Sequence, residues 1–338
     1  MKQAHTLTVA KVVPQGSDAA LIQFALDNSQ RTHFEFKPGQ YLTLEGGPDN
    51  DRQWRCYSIT SHPNDEQISV LVRRVSGGLV SNWLCDQVRA GSRLRIFPPA
   101  GSFGLRRTDE PLLLFAGGSG IAPIFSLARQ ALESGAPKVA VFYANRNART
   151  AMLMEEIAGL AAGFDDKLVL KFWYDESDGL PTAADIAGFG QHGQFGDAYL
   201  CGPDPFMRLV RQSLLNAGHD PARIFCEEFT QAGEDPDEAA NDGASGATAS
   251  LLQVTLKGQV HQVPVRAKET LLAAMMKGNL PVPHACKVGE CASCMCRLES
   301  GSIERLSNSV LDEDDEASGW LLACRTHPVS DLVSVRFP

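Results

Sequence analysis

Four cysteines fall within eleven positions near the end of the chain, in the stretch HACKVGECASCMCRLESG. Thiolate sulfur is a ligand for zinc and for iron–sulfur clusters, and thiols also form disulfides. Nine cysteines in a chain that lacks a signal-peptide pattern indicate a reducing compartment, where metal or redox chemistry is favoured over disulfides. The stretch therefore predicts a metal site, and the remaining sequence must indicate its purpose.

The composition is that of a soluble globular protein with a negative balance of charge. Hydrophobic residues make up 43% of the 338 positions and charged residues 21%, and the formal net charge is −9. A net acidic chain does not favour the basic surface patch that nucleic-acid binders use. No apolar run reaches the length of a membrane span. We therefore expect a cytoplasmic protein of two or three domains, without nucleic-acid partners or membrane spans.

The chain divides into four stretches that differ in composition and in the pattern of their apolar residues. Residues 1–106 alternate short β-branched runs with Gly and Pro, which predicts an antiparallel β-barrel. Residues 107–230 alternate strands with helical stretches, which predicts a parallel sheet covered by helices. Residues 231–250 contain five acids and no large apolar residue, so they predict a flexible linker, with a long surface loop as the alternative. Residues 251–338 begin with a strand pair and a short helix before the cysteines.

Two glycine-containing turns follow strands of the predicted parallel sheet. Gly117, Gly118 and Gly120 separate the apolar run LLLF from a helix, an arrangement in which backbone N–H groups and the helix dipole bind phosphate. Cys201 and Gly202 follow the strand DAYL, at the sheet edge where ligands of such folds bind. The first pattern is not the G-x-G-x-x-G fingerprint, so simple turn formation stays open for each stretch on its own.

Arginine side chains accompany both predicted nucleotide-binding regions. In WRCYSIT, Arg55 and Tyr57 share one face of a strand, which suits a phosphate beside an aromatic ring system, although an exposed surface pair has the same spacing. Arg146 and Arg149 follow the second strand of the parallel sheet, where no acid is found, and they either contact a ribose 2′-phosphate or remain solvated.

Together these stretches resemble the ferredoxin–NADP reductase family, a flavin-binding barrel followed by a nicotinamide-binding α/β domain. The positions that match its motifs are Arg55, Cys56, Tyr57 and Ser58; Gly77, Gly78 and Ser81; Gly117, Gly118, Gly120 and Pro123; Cys201, Gly202 and Pro203; and Glu227 with Phe229. The resemblance implies that the arginine and the glycine–serine turn hold flavin phosphates and that the tyrosine packs on the isoalloxazine. It places three catalytic residues, Ser58, Cys201 and Glu227, beside flavin N5, the nicotinamide and the flavin, respectively.

The last stretch, residues 251–338, resembles a plant-type ferredoxin of the α+β β-grasp fold. Cys286, Cys291 and Cys294 have the C-x4-C-x2-C spacing of a [2Fe–2S] site, and the resemblance implies Cys324 as the fourth ligand. Zinc stays open as an alternative, because a C-x-x-C pair is also a zinc half-site. Cys296 shares a strand face with an apolar residue and is interpreted as a buried, inert thiol.

The whole chain thus resembles the reductase components of Rieske-type oxygenases, of the phenylacetyl-CoA oxygenase and ketosteroid hydroxylase type. The resemblance implies a monomeric oxidoreductase that passes electrons from NADH or NADPH through FAD, with FMN possible, and a [2Fe–2S] cluster to an oxygenase, hydroxylase or desaturase. The alternatives are the reductase of a hybrid-cluster protein, a stand-alone flavin oxidase or quinone reductase, and a cluster-based redox sensor. An acidic run that includes Asp312, Asp314 and Asp315 is either a docking surface or a solvated helix start.

Overall fold

The computed structural model describes residues 4–193, 196–229, 248–308 and 310–337. Three large sheets follow one another along these residues, which confirms the predicted order of antiparallel, parallel and mixed folds. The predicted linker lies outside the described residues except for positions 248–250, which begin a strand. Among the described helices, none has the length and apolar character needed to cross a bilayer.

The first sheet is a six-stranded antiparallel barrel in the order β4-β3-β6-β1-β2-β5. Its strands are β1 His5–Gln15, β2 Ala19–Ala25, β3 Tyr41–Gly46, β4 Gln53–Ser58, β5 Gln67–Arg73 and β6 Arg93–Ala100. Its helices are α1 Asn28–His33 and α2 Leu79–Gln87. Alternating apolar side chains of the strands fill its core, and a bridge between Ile59 and Val70 joins the end of β4 to β5.

The second sheet has five parallel strands in the order β11-β10-β7-β8-β9. These are β7 Leu112–Gly117, β8 Val139–Asn145, β9 Leu168–Tyr174, β10 Ala198–Cys201 and β11 Ile224–Glu227. The helices are α3 Ile121–Glu133, α4 Met154–Gly163, α5 Asp175–Asp178, α6 Ala183–Gly190 and α7 Asp204–Asn216. Separate apolar clusters cover the two faces of the sheet. The strand order reverses between β7 and β10, and such a switch point is where ligands of this fold bind.

The third sheet is mixed, in the order β13-β12-β18-β14-β16, and packs against one helix. Its strands are β12 Thr248–Leu256, β13 Gln259–Arg266, β14 Met295–Ser300, β16 Trp320–Leu322 and β18 Leu332–Arg336. A two-stranded sheet joins β15 Ile303–Arg305 to β17 Thr326–Pro328. The helices are α8 Leu271–Lys277 and α9 Glu313–Ala317. The loop that carries Cys286, Cys291 and Cys294 lies between α8 and β14.

The barrel and the parallel-sheet domain are joined by apolar and charged contacts. Leu21 and Leu71 of the barrel belong to the same buried cluster as the inner face of α3. Arg129 of α3 donates two hydrogen bonds, of 2.7 and 2.8 Å, to the carboxylate of Asp65. A fork of this kind fixes the orientation as well as the distance between α3 and the barrel loop that carries Asp65.

Candidate functional site

Strand β4 presents the predicted flavin motif on two faces. Arg55 and Tyr57 lie on one face, and Cys56 and Ser58 lie on the other, as strand alternation requires. Tyr57 packs against the barrel core, and burial raises its pKa, so its ring remains an uncharged phenol. The Arg55 guanidinium donates a 2.8 Å hydrogen bond to Gln53. A cation therefore lies beside a neutral flat ring, which is the pairing that a flavin phosphate and ring system require.

The turn before α2 has the geometry of an anion-binding helix start. Gly77 has a φ of +70° and no atom lies within 4 Å of where its Cβ would be, so the turn is open on that side. Gly78 is the N-cap of α2, and Ser81 Oγ accepts a hydrogen bond from Val75 N–H at 3.2 Å. The positive end of the helix dipole favours a phosphate at such a helix start, so the turn fits the predicted pyrophosphate site.

The two glycine turns of the parallel sheet lie in direct backbone contact. A Cβ on Gly120 would lie 2.1 Å from the carbonyl oxygen of Cys201, and a Cβ on Gly202 would lie 2.9 Å from Gly117 Cα. Pro203 caps α7, and Pro123 lies in the first turn of α3. The sequence requires glycine here because two chain segments approach at backbone distance, and the approach brings both predicted nicotinamide segments to the switch point.

Arg73, which no sequence motif indicated, crosses from the barrel to this turn. Its Nη1 lies 2.7 Å from the Cβ position of Gly118. The Asp18 carboxylate pairs with both Arg73 Nε at 3.2 Å and Arg146 Nη2 at 3.3 Å. Arg146 is thus paired with Asp18 while 65% of its side chain stays exposed. No sequence spacing could have indicated these contacts, because they join residues of two domains.

Cys201 and Glu227 are neighbours at the carboxyl edge of the parallel sheet. They are paired in the register of β10 and β11, and Cys201 is fully buried, which raises its pKa and keeps the thiol neutral. Burial, followed by the negative charge of Glu290, raises the pKa of Glu227 to about 8. Its Oε2 is buried without a hydrogen-bond partner. Phe229, two residues on, is 41% exposed, so it offers a ring surface at the same edge.

The four predicted cluster ligands lie together as two pairs of thiols. The Cys294 and Cys324 Sγ atoms are 3.3 Å apart, and the N–H of Cys286 lies 3.4 Å from Cys291 Sγ. Within the described ranges, no three His, Cys, Asp or Glu side chains are grouped as ligands of one metal ion. Two pairs of thiols are instead the donor set of a two-iron cluster, with two sulfurs for each iron.

The loop that carries these thiols directs backbone N–H groups at sulfur. The N–H of Glu290 contacts Cys286 Sγ, and the N–H of Cys286 contacts Cys291 Sγ, each at 3.4 Å. Gly289 and Ala292 have positive φ values of 84° and 61°, which curl the loop around this point. Such N–H groups stabilise sulfur ligands of a cluster, so the residues fit the predicted [2Fe–2S] group.

Cys296 occupies a different environment from the four predicted ligands. It lies on β14, is fully buried in the domain core, and burial raises its pKa well above the ordinary value. This position agrees with the interpretation of an inert thiol.

The cluster loop packs against the flavin barrel. Glu290 accepts a 3.1 Å hydrogen bond from Ser102 Oγ, and its other oxygen lies 3.5 Å from Tyr41 Oη. Cys291 shares a small buried cluster with Tyr41, and Cys56 packs against that cluster. The structure therefore brings the flavin strand, the nicotinamide edge and the cysteine loop to one junction.

Comparison with known proteins agrees with this arrangement. Residues 6–104 match the oxidoreductase FAD-binding domain, residues 114–212 the oxidoreductase NAD-binding domain, and residues 254–329 the 2Fe-2S iron-sulfur cluster binding domain. These matches confirm FAD, a nicotinamide nucleotide and a [2Fe–2S] cluster, rather than zinc, as the cofactors. The fold and site therefore define a flavin- and iron–sulfur-dependent NAD(P)H oxidoreductase.

Relatives of similar length define the family. The chain is 37% identical to the ferredoxin reductase component of 3-ketosteroid-9-alpha-monooxygenase from Rhodococcus rhodochrous, over 98% of this chain and 96% of that protein. It is 28% identical to a component of 1,2-phenylacetyl-CoA epoxidase from Escherichia coli, over 100% and 98%. The solved structure of phthalate dioxygenase reductase has a TM-score of 0.63 at 22% identity, over 99% and 98%, and shows the same fold. The chain belongs to the three-domain ferredoxin reductase family.

Proposed function

We propose that this chain is the reductase component of a multicomponent oxygenase, and that its acceptor is an oxygenase, hydroxylase or desaturase protein. The full-length likeness to oxygenase reductase components supports the class of acceptor. The observation that carries the electron path is the packing of the cysteine loop on β4, the strand that holds the flavin motif. Electrons that leave the flavin thus have a short route to the cluster within one chain.

The barrel residues are proposed to bind and orient FAD. Arg55 and the N-terminus of α2 after Gly77 and Gly78 hold its phosphates, because the guanidinium is positively charged and the helix start is the positive end of the helix dipole. Tyr57 would supply a neutral ring for the isoalloxazine, whereas Ser58, buried on the opposite face of β4, would approach the flavin only at the end of the strand. When bound, FAD accepts a hydride from the nicotinamide and passes single electrons to the cluster.

The parallel-sheet residues are proposed to hold the nicotinamide nucleotide at the switch point. The backbone of Gly117, Gly118 and Gly120 receives its phosphates, and Arg73 adds a guanidinium from the barrel side. Cys201 presents a neutral, buried thiol, and Gly202 allows the close approach of the two turns. Glu227 keeps its proton up to about pH 8, so it adds no negative charge at neutral pH to the place where hydride arrives.

NADH is proposed as the preferred donor over NADPH. Asp18 neutralises Arg146, and Asp175 and Glu176 follow β9 at the same edge of the sheet. In dinucleotide-binding folds a carboxylate at a strand end accepts the ribose hydroxyls of NADH, whereas a 2′-phosphate needs a free arginine. The described carboxylates here disfavour a second phosphate.

A matched pair of cysteine variants tests the proposed ligand set. Cys324→Ala removes one thiol of a pair and is expected to lose the iron–sulfur absorption bands and the electron paramagnetic resonance (EPR) signal of the reduced cluster, while NADH still bleaches the flavin. Cys296→Ala removes a thiol that is 0% exposed in the domain core and is expected to keep the cluster. A colourless Cys296→Ala protein with an intact Cys324→Ala cluster would show that the ligands are assigned wrongly.

The acceptor is tested with the loaded, full-length protein under NADH turnover. A reductase component reduces ferricyanide and cytochrome c quickly, and its hydrogen peroxide output falls when its oxygenase partner is added. Stoichiometric peroxide that is unaffected by any protein acceptor would support a stand-alone oxidase instead. Slow reduction of every acceptor would support a redox sensor, and selective reduction of a hybrid-cluster protein would support that alternative acceptor.

A further inference from the structure

The loop that follows the flavin strand β4 carries the barrel side of a charged contact with α3. Backbone bonds tie this loop to β5, since Thr60 N–H donates to the Ser69 carbonyl at 2.9 Å and Ser69 N–H donates to Ser61 Oγ at 3.0 Å. The tip of the loop is closed by His62 and Asp65. The His62 N–H donates to Asp65 Oδ2 at 2.8 Å, and the Asp65 N–H donates to the His62 carbonyl at 2.9 Å. The Asp65 carboxylate is therefore held in place by the barrel.

Arg129 of α3 binds this carboxylate and is held from its own side as well. Its Nη1 and Nη2 donate to the two oxygens of Asp65 at 2.7 and 2.8 Å, and its Nε donates to Glu133 at 2.8 Å. The Arg129 and Asp65 side chains are 28% and 33% exposed, so solvent and salt screen this fork less than a fully exposed pair. His62 adds a second contact, because its Nε2 lies 3.2 Å from both Gln130 Oε1 and Glu133 Oε2.

Packing next to the fork leaves space between the two domains. A cavity of about 400 Å³ lies there, and its walls include Leu21 of β2, Phe125 and Arg129 of α3, Leu160 of α4 and Phe164 after it. Side chains fix the orientation of two elements when they fill the space between them, whereas a cavity leaves room for α3 to tilt against the barrel. Directional hydrogen bonds across the boundary therefore limit the tilt at this place.

The fork joins the two segments that are proposed to hold the reacting groups. Asp65 lies in the loop after Ser58, the last residue of β4, and Arg129 lies in the helix that begins at Ile121, directly after the glycine turn. Hydride transfer needs its two reacting atoms about 3–3.5 Å apart, and a misplacement of about 1 Å costs roughly 100-fold in rate. A tilt of α3 against the barrel changes this distance, whereas the glycine turn that receives the nucleotide moves together with α3.

We propose that Asp65 and Arg129 are positioning residues that set the distance between flavin and nicotinamide for hydride transfer. The inference rests on the proposed function, in which FAD lies on the barrel and NADH at the switch point. In the step itself a hydride, with its two electrons, leaves the nicotinamide ring and bonds to flavin N5, so the nicotinamide is oxidised and the flavin is reduced. Neither Asp65 nor Arg129 exchanges a proton or an electron, because both act through the segments that they join.

The test is anaerobic stopped-flow reduction of the holoprotein by NADH, together with calorimetric binding of NAD⁺ to the oxidised holoprotein. Arg129→Gln removes the fork and is expected to lower the rate constant of flavin reduction at saturating NADH about tenfold or more, with an unchanged Kd for NAD⁺. Deuterium at the transferred position of NADH is expected to slow the variant further, which shows that hydride transfer limits the measured rate. Arg129→Lys keeps the charge without the fork and is expected to recover only part of the wild-type rate.

A matched control and a double variant separate positioning from stability. Arg336→Gln breaks an ion pair with Glu299, of 2.6 Å, that joins β14 to β18 within one domain, and is expected to leave the rate and the Kd unchanged. Asp65→Asn is expected to slow flavin reduction as Arg129→Gln does, and the double variant is expected to be no slower than either one, because both remove the same contact.

The possible failures have different signatures. A wild-type rate in Arg129→Gln, with only a lowered unfolding midpoint, would show a structural role and overturn the inference, as would fully additive losses in the double variant. If Arg129→Gln does not fold, a wild-type rate in Arg129→Lys would overturn it. A wild-type protein whose flavin is reduced by neither NADH nor NADPH would instead overturn the proposed function.

Discussion

The pKa of Glu227 tests whether its carboxyl is buried where the flavin strand, the nicotinamide edge and the cysteine loop meet. Its Oε2 atom is buried without a hydrogen-bond partner, and burial together with the nearby charge of Glu290 raises its pKa from 4.5 to about 8. The folded protein therefore holds a proton at this carboxyl over a pH range in which the unfolded chain has lost it. The substitution Glu227→Gln keeps the shape and removes the titration.

The sign and size of the effect follow from linkage. Between the unfolded and folded pKa values the folded state binds more protons, so the stability that this group contributes is complete below pH 4.5 and is lost as the pH rises through about 8. The part of this shift that titrates between about pH 5.5 and about pH 8 corresponds to a loss of about 3 kcal/mol at 1.36 kcal/mol per pH unit. Because the residue is partly exposed, we expect about 1–3 kcal/mol, or roughly 3–10 °C in unfolding midpoint.

The assay compares unfolding midpoints of wild type and Glu227→Gln at the two pH values. Wild type is expected to lose stability toward pH 8, and the variant is expected to lose less by the amount above. Glu228→Gln, at the exposed neighbouring position, is the matched control and should follow wild type. If Glu227→Gln showed the wild-type pH dependence, the carboxyl would titrate normally, and the reasoning about the junction would be refuted.

Three further predictions concern the two sheet domains and the acidic run. Gly120→Ala places a Cβ 2.1 Å from a carbonyl oxygen and is expected to weaken NADH binding by about tenfold or more, as measured by flavin reduction. The control Gly159→Ala adds a Cβ in open space on a helix and should have no effect on NADH binding. Asp18→Asn releases the paired arginines and is expected to raise the NADPH/NADH ratio of kcat/KM about tenfold, and an unchanged ratio would contradict the proposed donor preference. If the acidic run is a docking surface, neutralising the exposed Glu313 and Asp314 is expected to slow electron transfer to a basic partner protein at low salt but not at high salt. Equal rates of partner reduction at low salt would show that the run is a solvated helix start.

The sequence predicted those features that are local in the chain. Gly117, Gly120 and Gly202 were recognisable because a strand, a tight turn and a helix are consecutive, and the structure shows why no side chain fits there. The spacing of Cys286 and Cys291 likewise predicted a loop that curls around sulfur. Period-two alternation and the strand–helix rhythm were sufficient for the classes of the sheets, because those patterns reflect which face of each element is buried.

The sequence could not predict the contacts between domains. Arg73 meets Gly118, and Asp18 meets Arg146, across a boundary that no spacing rule connects. The missing acid after the second strand of the parallel sheet illustrates the point, because a carboxylate does reach that edge but comes from the barrel. Asp175 and Glu176 also follow β9 at that edge, so the carboxylates there come from both domains.

Strand β4 shows how one short stretch can serve two cofactor sites. Alternation alone predicts that Arg55 and Tyr57 share a face and that Cys56 points the other way, but it does not predict what covers that other face. The structure covers it with the cysteine loop, held by Glu290 on Ser102 at 3.1 Å. The packing of the cysteine loop on this face therefore places the predicted cluster site one strand away from the predicted flavin contacts of Arg55 and Tyr57.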